Sequence, residues 1–461
     1  MRAPAKRLPW ETGVVGSNPT PSAMETNAPF RGAYIFSYFG FMTQLYHIWT
    51  IGCQMNKAES ERIGSYLERQ GYQETDSAVH ADIIVLNSCV VRQSAENRFI
   101  GKLNSIKPLK TSYKPPILSV TGCFVSSDIY KLKQRFPFVD YFFKPGEPIP
   151  WLEKPELEKT IPIHPKPVTY ISIIQGCNNF CTYCIVPYRR GRERSRPFSE
   201  ILSEVKTLVG RGAREIVLLG QNVNSYGQDK PGHADLPELL DGLNDIDGLS
   251  RIRFLTNHPK DMSLRLINRI ANLDKVCPEV SLPVQSGSNT ILNSMGRGYT
   301  IEQYRELISC LRSKIPDIAI STDIIVGFPD ETELNFQETY NLLSDLKFDT
   351  VHVAAYSVRA GTFAAREFSD NITLTEKKER LHRVEGLQKK ISASINKRFL
   401  ESTVEVMVEG EKDGRWWGRT KSGKLVFFKH DNPVYPGQLV NIIIVKASPW
   451  ALQGSISTTE S

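Results

Sequence analysis

Long apolar runs are missing from the 461-residue sequence: no stretch reaches the eighteen or more consecutive apolar residues that a membrane-spanning helix needs. We therefore expect no membrane-spanning segment. Cysteine is also scarce, with eight residues spread along the chain and none of the dense short-range spacing of a secreted disulfide scaffold. Several of the eight occupy positions typical of metal ligands, which favours a reducing, cytoplasmic environment.

A strong excess of one charge is absent as well, because 57 Lys and Arg against 50 Asp and Glu give a formal net charge of +7. This modest basic excess permits a nucleic-acid partner but does not demonstrate one, since net charge bears on association rather than on fold. Hydrophobic residues make up 40% of the chain, which is enough to bury real cores. At roughly 150 residues per domain, the length predicts about three domains.

Residues 1–42 differ in composition from the rest of the chain. They contain five prolines and scattered glycines, without sustained hydrophobic periodicity. A mitochondrial-type transit peptide would be amphipathic, and no amphipathic stripe is present. We predict a disordered or even spurious extension, with a natural start at Met42.

Three repeats of a strand-like run followed by a helical stretch predict a parallel α/β domain over residues 44–155. Each run ends just before a cysteine, which places Cys53, Cys89 and Cys123 at separations of 36 and 34 residues, about one βαβ unit. Because the carboxyl ends of parallel strands meet at one edge of a sheet, we expect the three thiols to face one crevice. The alternative is that the three cysteines are merely small buried hydrophobic side chains. Because a cysteine recurs at the same place in all three repeats, a cluster site is favoured.

A second group of thiols, Cys177, Cys181 and Cys184, has C-x-x-x-C-x-x-C spacing directly after a strand-like run at residues 170–175. A structural zinc site would need a fourth ligand, and no His or Cys follows within the next forty residues. Three thiolates on a four-iron cluster leave one iron without a protein ligand, where chemistry can occur. A zinc clip or a buried thiol cluster is the alternative. The pattern, with Tyr183 before the last cysteine, resembles that of the radical S-adenosylmethionine (SAM) enzymes.

Six further strand-like runs alternate with helices after a proline-rich linker at residues 151–167. They predict a partial (β/α)6 barrel over residues 163–395, with its active site at the carboxyl ends of the strands. The second cysteine group follows the first of these strands and is expected at that mouth. A helix at residues 373–400 then leads to short strand-like runs, which predict a small all-β barrel over residues 396–459.

Polar side chains near the strand ends of the predicted barrel are candidates for binding the ribose and the amino-carboxylate of SAM. Ordinary loop capping explains any one of them equally well, and the same holds for His258, just past the third strand. The predicted cofactor-binding residues are Tyr183, Gln221, Asn222, Gln285, Ser286 and Asp323.

Two basic segments are candidates for contact with RNA. The first follows the cysteine loop and either grips phosphates near the reactive centre or forms a solvated, salt-bridged loop. The second lies in the terminal barrel, where basic and aromatic residues are interleaved as in proteins that combine phosphate contacts with base stacking. The predicted RNA-binding residues are Arg189, Arg190, Arg192, Arg194, Arg415, Trp416, Arg419 and Lys421.

Several further motifs accompany the second cysteine group along the chain. They are Gly52-Cys53-Gln54-Met55-Asn56, Asn87-Ser88-Cys89, Thr121-Gly122-Cys123, Val186-Pro187-Tyr188-Arg189-Arg190-Gly191, Gln221-Asn222-Val223-Asn224-Ser225-Tyr226-Gly227, Leu282-Pro283-Val284-Gln285-Ser286-Gly287, Arg297-Gly298-Tyr299-Thr300 and Asp323-Ile324-Ile325-Val326-Gly327-Phe328-Pro329. Together these motifs resemble those of the methylthiotransferases of the radical SAM superfamily over residues 44–458. The resemblance implies an auxiliary 4Fe-4S cluster on Cys53, Cys89 and Cys123, a SAM-cleaving 4Fe-4S cluster on the second cysteine group, and a terminal TRAM domain that binds RNA.

Among the subfamilies, the sequence is most similar to the bacterial enzymes that act on N6-dimethylallyladenosine beside the anticodon of tRNA. The resemblance implies conversion of that base to its 2-methylthio form, with one SAM as methyl donor and another as radical source. It also implies a tRNA anticodon stem-loop and a flavodoxin- or ferredoxin-like electron donor as partners of a cytoplasmic monomer. Two segments depart from the sequence that is usual in this subfamily. They are residues 357–361 and the pair Phe124-Val125, and neither contains a predicted ligand.

Two other functions stay open at this point. Within the same class, the substrate is threonylcarbamoyladenosine in tRNA or an aspartate of a ribosomal protein. In a different class, a non-catalytic RNA-binding iron–sulfur protein such as a redox sensor would need a fully ligated cluster, and a three-cysteine loop without a nearby fourth ligand speaks against it. Release of 5′-deoxyadenosine from SAM distinguishes the two classes.

Overall fold

The computed structural model describes residues 44–89, 93–125, 128–147, 149–151, 160–429 and 434–456. The predicted extension at residues 1–42 lies outside the described residues, as does part of the predicted linker. None of the described helices combines the length and the hydropathy that are needed to span a bilayer.

The amino-terminal domain is a parallel α/β sheet, as the three repeats predicted. Its elements are β1 (Leu45–Ile51), α1 (Gln54–Arg69), β2 (Gln73–Glu74), β3 (Ile83–Ser88), α2 (Gln93–Ile106), a 3-10 helix (Lys107–Thr111), β4 (Ile117–Gly122), α3 (Ile129–Arg135) and β5 (Tyr141–Phe142). The strand order is β2-β1-β3-β4-β5. Separate apolar clusters cover the two faces of the sheet, so that β3 is buried at every residue.

The central domain begins with a strand that leads into the cysteine loop. Its elements are β6 (Val168–Ser172), β7 (Ile174–Gln175), α4 (Val186–Arg190), β8 (Arg194–Ser195), α5 (Phe198–Gly210), β9 (Glu215–Leu219), a 3-10 helix (Val223–Ser225), α6 (Leu236–Asn244), β10 (Arg251–Phe254), a 3-10 helix (Pro259–Asp261), α7 (Leu264–Asn272), β11 (Glu279–Ser281), α8 (Asn289–Ser294), α9 (Ile301–Lys314), β12 (Ala319–Val326), α10 (Glu333–Leu346), β13 (Thr350–Ala355), α11 (Phe363–Glu367) and α12 (Leu374–Lys397).

Six parallel strands of this domain form a partial barrel, which confirms the predicted fold class. They are arranged as two three-stranded sheets, β6-β9-β10 and β11-β12-β13, and a parallel bridge between Ile252 and Val276 joins the two. Ile252 belongs to the main apolar core that the surrounding helices cover. On the opposite, inner face of β9, Val217 and Leu219 pack against Ala58 of α1. Helix α1 of the amino-terminal domain therefore packs against the inner face of the partial barrel.

Helix α12 ends the central domain and connects it to the carboxy-terminal one. Thr373 and Glu376 form a capping box at its start. Val384 belongs to the main core, and Leu381 and Leu387 pack against that core. These side chains recur at helical spacing, so they form an apolar stripe that covers the outside of the partial barrel.

The carboxy-terminal domain is a closed five-stranded barrel of mixed strands, in which one neighbouring pair is parallel and the others are antiparallel. Its strands are β14 (Thr403–Lys412), β15 (Arg415–Thr420), β16 (Leu425–Lys429), β17 (Leu439–Ala447) and β18 (Leu452–Ile456). Around the barrel they follow the order β14-β15-β16-β18-β17. Strands β15 and β18 are hard to recognise in the sequence, because glycine or charged residues interrupt their apolar pattern.

The small barrel docks below the amino-terminal ends of the central strands. Arg251, the first residue of β10, is 1% exposed, and its Nη1 donates to the carbonyl of Arg419 at 2.8 Å. Arg253 Nη2 donates to the carbonyl of Thr420 at 2.8 Å, while its Nε donates to Glu215 at 2.6 Å. Buried guanidinium groups need such partners. The terminal barrel therefore lies at the end opposite to the mouth that the cysteine loop occupies.

Candidate functional site

The three amino-terminal cysteines lie together at one edge of the first sheet. The last residues of β1, β3 and β4 are in register with one another. Cys89 and Cys123 follow directly after their strands, and Cys53 lies two residues past the end of β1. A β-carbon added to Gly52 would lie 2.7 Å from Cβ of Cys89, so the chain beside Cys53 passes directly against it. Cys89 and Cys123 are buried and Cys53 is exposed.

Asn56 ties these strand ends to one another from the first turn of α1. It is fully buried, and its Nδ2 donates to Asn87 Oδ1 at 2.7 Å and to the carbonyl of Ser88 at 2.9 Å. Its Oδ1 accepts a hydrogen bond from the Cys53 thiol at 3.1 Å. The backbone N–H of Cys123 donates to the same Ser88 carbonyl at 2.8 Å. A single buried amide network therefore fixes the backbone around all three thiols.

The second cysteine group sits on a loop at the mouth of the partial barrel, at residues 176–184. Gly176, with φ +84°, starts the loop, and a β-carbon there would lie 2.0 Å from the carbonyl oxygen of Arg192, so the turn requires glycine. Thr182 anchors the middle of the loop: its N–H donates to the carbonyl of Met295 at 2.9 Å, and its Oγ1 donates to that of Ser294 at 2.8 Å. The carbonyl of Thr182 accepts from the N–H of Ala364 at 2.8 Å.

Arg297 is a buried cation beside this loop, and its role could not be predicted from the sequence. It is 5% exposed, and its Nη1 donates to Cys181 Sγ at 3.3 Å. Its remaining donors bind the hydroxyl of Tyr299 at 3.1 Å and the carbonyl of Pro283 at 2.6 Å. The guanidinium thus fixes one thiol of the loop and holds the loop against the strand end at residue 283.

Arg190 plays the corresponding part at the first thiol group, which corrects its prediction as an RNA contact. It is 9% exposed, and its Nε donates to Cys123 Sγ at 3.2 Å. A side chain that is buried against a thiol is not available to phosphates. The sequence pattern of alternating arginines gave no sign of which one turns inward.

Burial governs the acidity of the thiols. It raises the pKa of Cys123, an effect that Arg190 opposes, and it raises the pKa of Cys177. It raises the pKa of Cys184 to about 12. Binding to iron requires thiolates, so cluster assembly on these residues releases protons, and the nearby guanidinium groups favour the charged form.

The donor sets fit iron–sulfur clusters by their chemistry. Each set offers three soft thiols, of which two are buried in the first set and one in the second, and a guanidinium group that donates to one sulfur. Among the described residues, no three His, Cys, Asp or Glu side chains converge on one point as the ligands of a single metal ion do. A four-iron cluster binds each thiolate through a separate iron, so its ligands lie further apart than those of one ion.

The predicted cofactor-binding residues surround the mouth, but several are engaged in structural contacts. Gln221 accepts from the N–H of Gly176 and donates to Met55 Sδ. Asn222 is 2% exposed and donates to Asp261 at 2.7 Å, while its Oδ1 has no hydrogen-bond partner among the described residues.

The other predicted residues of this set lie on the far side of the mouth. Tyr183 packs edge-to-face against Phe328, with ring centroids 6.5 Å apart. Gln285 has φ +73° and is bridged to β12. Ser286 is fully buried and contacts Thr339, so that it stabilises the loop rather than facing a ligand.

Asp323 lies on the inner face of β12. Its neighbours Thr322 and Ile324 are fully buried toward the helices, whereas Asp323 is only half-buried. It is in register with His352 of β13, which is exposed. The inner face of these two strands therefore presents polar side chains to the lumen of the barrel. His352 could not be singled out from the sequence, because a single histidine in a strand carries no pattern.

His258 caps the 3-10 helix Pro259–Asp261 beside the mouth. It is 5% exposed, its Nδ1 accepts from the N–H of Lys260 at 3.3 Å, and its ring packs edge-to-face on Tyr299 at 5.7 Å. Burial, together with the positive charges of Arg297 and Lys260, lowers the pKa of His258 to about 2. The imidazole is therefore neutral in the folded chain. Its Nδ1 caps the loop, whereas its buried Nε2 has no hydrogen-bond partner among the described residues.

Lowering the pH from 7.5 to 5.5 should destabilise the wild-type chain by about 1.4 kcal/mol more than His258→Gln. His258 stays neutral in the folded chain but takes up a proton in the unfolded chain, where its pKa is about 6.5, so stability falls as the pH falls through that value. Urea unfolding at both pH values measures the difference, with replacement of the exposed His233 by Gln as control. An equal pH dependence in wild type and His258→Gln would contradict the buried neutral imidazole.

The other predicted RNA-binding residues of the first segment lie around the cysteine loop. Arg192 is exposed and stacks on Phe180 with its guanidinium carbon 4.3 Å from the ring centroid. Arg194 is exposed on β8, and Arg189 is half-buried. These three side chains border the mouth from the side of α4.

In the terminal barrel, Arg415, Trp417 and Arg419 share one face of β15. Trp416 is the cross-strand neighbour of Phe428 on β16. Phe428 is 2% exposed and Trp416 packs against the same apolar core, so Trp416 faces the interior of the barrel. The prediction of Trp416 as an RNA contact is therefore corrected, and Trp417 becomes the aromatic candidate for stacking on RNA bases. Lys421 is also corrected, because its ammonium donates to the carbonyl of Asp274 in the central domain.

A cavity of about 300 Å³ separates α1 from the segment between β7 and the start of α5. Arg190 and Glu59 both line it, and each has a buried polar atom without a hydrogen-bond partner among the described residues, Nη2 and Oε2 respectively. Burial raises the pKa of the Glu59 carboxyl, and Arg190 opposes this shift. The cavity also reaches Arg62, which forms an ion pair with Glu204 at 2.8 Å.

Comparisons with known proteins match all three parts of the chain. Residues 171–343 match the Radical SAM superfamily, residues 45–144 the Uncharacterized protein family UPF0004, and residues 397–456 the TRAM domain. A relative from Dehalococcoides mccartyi, named tRNA-2-methylthio-N(6)-dimethylallyladenosine synthase, is 52% identical over 411 residues, which cover 89% of this chain and 98% of the relative. A relative of the same name from Roseiflexus sp. is 45% identical over 429 residues, which cover 90% of each chain.

Among solved structures, a radical S-adenosylmethionine methyltransferase from Kitasatospora setae matches with a TM-score of 0.49 and 14% sequence identity. The match covers 68% of this chain and 73% of the methyltransferase.

Proposed function

Because this chain belongs to the radical SAM methylthiotransferases, in the family of the tRNA-2-methylthio-N(6)-dimethylallyladenosine synthases, we propose that it methylthiolates C2 of N6-dimethylallyladenosine beside the anticodon of tRNA. The three domains of the proposal span residues 44–155, 163–395 and 396–459. The matched segments of the three domain families lie inside these ranges.

The observation that carries the proposal is the meeting of two three-thiol groups. Arg190 follows the cysteine loop by six residues and donates to Cys123 of the first group, so both groups border the same side of the barrel mouth. We assign Cys177, Cys181 and Cys184 to the SAM-binding 4Fe-4S cluster and the amino-terminal three cysteines to an auxiliary one. When bound, the two clusters and two molecules of SAM supply what acid–base chemistry cannot at an aryl carbon: a radical that removes hydrogen, and a sulfur and a methyl group to replace it.

The residues of the chain itself position the reactants. Arg297 and the anchors of Thr182 hold the cysteine loop rigid at the mouth. The buried Oδ1 of Asn222, which has no hydrogen-bond partner in the part of the chain that the structure describes, is suited to a ribose hydroxyl or an ammonium group. The half-buried Asp323 on the inner face of β12 and Tyr183 complete our proposed SAM-binding set.

The distance between the two ends of the barrel favours a long substrate. The terminal barrel contacts the first residues of the central strands, and the cysteine loop follows the last ones. Strands of five to eight residues at about 3.3 Å per residue separate the two ends by roughly 20 Å. A substrate that touches both must extend along the protein, as an anticodon stem-loop does and a free nucleoside does not.

We propose that the stem of the tRNA binds the exposed face of β15 and that the loop lies near the mouth. Arg415, Trp417 and Arg419 share that face, which suits phosphate contacts and base stacking. Arg192 and Arg194, with the half-buried Arg189, border the mouth and are proposed to contact the loop backbone.

Arg415→Gln is expected to weaken tRNA binding and to reduce the slope of log affinity against log salt by about one, because one phosphate contact is lost. Fluorescence anisotropy with a labelled anticodon stem-loop over a salt series measures the slope. Lys421→Gln removes the same charge from the same segment, but its ammonium is held by Asp274. If the slope falls equally in both variants, the salt dependence reflects the net charge of the segment, and the proposed contact between Arg415 and a phosphate is contradicted.

Nucleoside mass spectrometry of tRNA tests the substrate. In a strain that lacks this gene, 2-methylthio-N6-dimethylallyladenosine should disappear while the unthiolated base accumulates, and expression of the wild-type chain should restore it. Retention of the 2-methylthio base would refute the substrate. Loss of the 2-methylthio derivative of threonylcarbamoyladenosine instead would identify the alternative tRNA substrate.

We further propose that the enzyme acts as a monomer in the cytoplasm, where its tRNA substrate is found. The radical step consumes an electron, for which a flavodoxin- or ferredoxin-like protein is the proposed donor. Titration of the reduced donor into an anaerobic reaction, with 5′-deoxyadenosine as readout, tests this part.

A further inference from the structure

Arg190 links the two thiol groups physically, although they belong to different domains. It is the last residue of α4, which begins two residues after Cys184, and it is 67 residues away in sequence from Cys123, whose sulfur lies 3.2 Å from its Nε. The side chain is 9% exposed. The cysteine edge of the amino-terminal domain is therefore completed by a residue of the central domain.

The surroundings of Arg190 do not satisfy its hydrogen-bonding capacity. A guanidinium group carries five N–H donors, and the Nη2 of Arg190 is buried without a partner among the described residues. Glu59, on the same cavity, contributes charge but no hydrogen bond to it. A neutral thiol is a weak acceptor, whereas a thiolate forms a charge-assisted bond. The position of Arg190 thus suits a Cys123 that is ionised as a ligand, with further sulfur nearby.

We propose that Arg190 is a positioning residue for the auxiliary cluster, orienting the Cys123 thiolate and raising the reduction potential of the cluster through N–H···S hydrogen bonds. The inference rests on the proposed function, because it takes Cys53, Cys89 and Cys123 as the ligands. Hydrogen bonds to sulfur and local positive charge favour the reduced, more negative state of a cluster. Docking of the central domain therefore sets the potential of the amino-terminal cluster.

The test uses the full chain with Cys177, Cys181 and Cys184 replaced by alanine, so that only the auxiliary cluster is present. Iron content is measured first, and the midpoint potential is then obtained by redox titration monitored by electron paramagnetic resonance. In this background, Arg190→Gln should lower the ratio of reduced to oxidised cluster at a fixed potential at least tenfold, which is about 59 mV for a one-electron couple. Arg190→Lys keeps the charge but not the planar fork and should give a smaller shift in the same direction.

Arg62→Gln is the matched control, because it removes the same charge from the same cavity without contacting a cysteine. Loss of iron from Arg190→Gln alone, with circular dichroism unchanged, also supports the positioning role. Iron content and potential that match the background, or an equal shift in Arg62→Gln, would overturn it. If the background chain itself binds no iron, the ligand assignment in the proposed function fails, and the two failures are thus distinguishable.

Discussion

Replacing Cys184 by alanine is expected to reduce the release of 5′-deoxyadenosine from SAM to the level of a reaction without enzyme. Cys184 is one of the three proposed ligands of the SAM-binding cluster, and no His or Cys follows within forty residues to take its place. A four-iron cluster held by only two thiolates would have two irons without protein ligands, so the chain would hold it too weakly to supply the electron that SAM cleavage needs. Anaerobic reconstitution, reduction with dithionite and mass spectrometry of the nucleoside products measure the loss.

Cys310→Ala is the control for this substitution. Cys310 lies on α9 and packs against the apolar core of the central domain, so its replacement removes a thiol without touching either thiol group. We expect wild-type release of 5′-deoxyadenosine from Cys310→Ala. Undiminished SAM cleavage by Cys184→Ala would remove the cysteine loop from the chemistry and restore the binding-protein hypothesis.

The sequence predicted the parts of this molecule that are governed by local periodicity. The six barrel strands and the three cysteine-terminated strands are each short apolar runs followed by a helix, and parallel pairing then fixes which ends meet. The family resemblance and the comparisons agree on the same chemistry. The role of each cysteine as a ligand stays a prediction, although the structure places each group of thiols on one edge or one loop.

The buried cations could not be predicted, because spacing along the chain does not reveal which arginine turns inward. Arg190 lies in a run of arginines whose other members are more exposed, and only its distant partner Cys123 distinguishes it. Arg297 likewise reaches Cys181 across 116 residues. Long-range pairing of this kind leaves no trace in local composition.

One correction was within reach of the sequence. Residues on one face of a strand alternate, so Arg415, Trp417 and Arg419 had to share a face once β15 was recognised as a strand. Trp416 was chosen instead because the segment was interpreted by composition alone. The closed barrel turns Trp416 toward buried Phe428, and the alternation then assigns the basic face without further information.

The arrangement of the two thiol groups leads to a substitution that should separate the two half-reactions. Cys53→Ala is expected to retain release of 5′-deoxyadenosine while methylthiolated tRNA falls below detection. Cys53 is exposed, and its described side-chain contact is with Asn56. The anchors of the cysteine loop, at Met295 and Arg297, lie in the central domain and are untouched.

Both products are measured in one anaerobic reaction, with an anticodon stem-loop that carries N6-dimethylallyladenosine and with Cys310→Ala as control. Loss of SAM cleavage together with methylthiolation would mean that the amino-terminal cysteines serve folding instead. Loss of methylthiolation alone follows if the radical is formed at the loop while the sulfur comes from the neighbouring sheet edge. Because Asn56 also bonds to Asn87 and Ser88, the strand ends should keep their places without the Cys53 thiol, so the variant removes a ligand and leaves the scaffold that carried it.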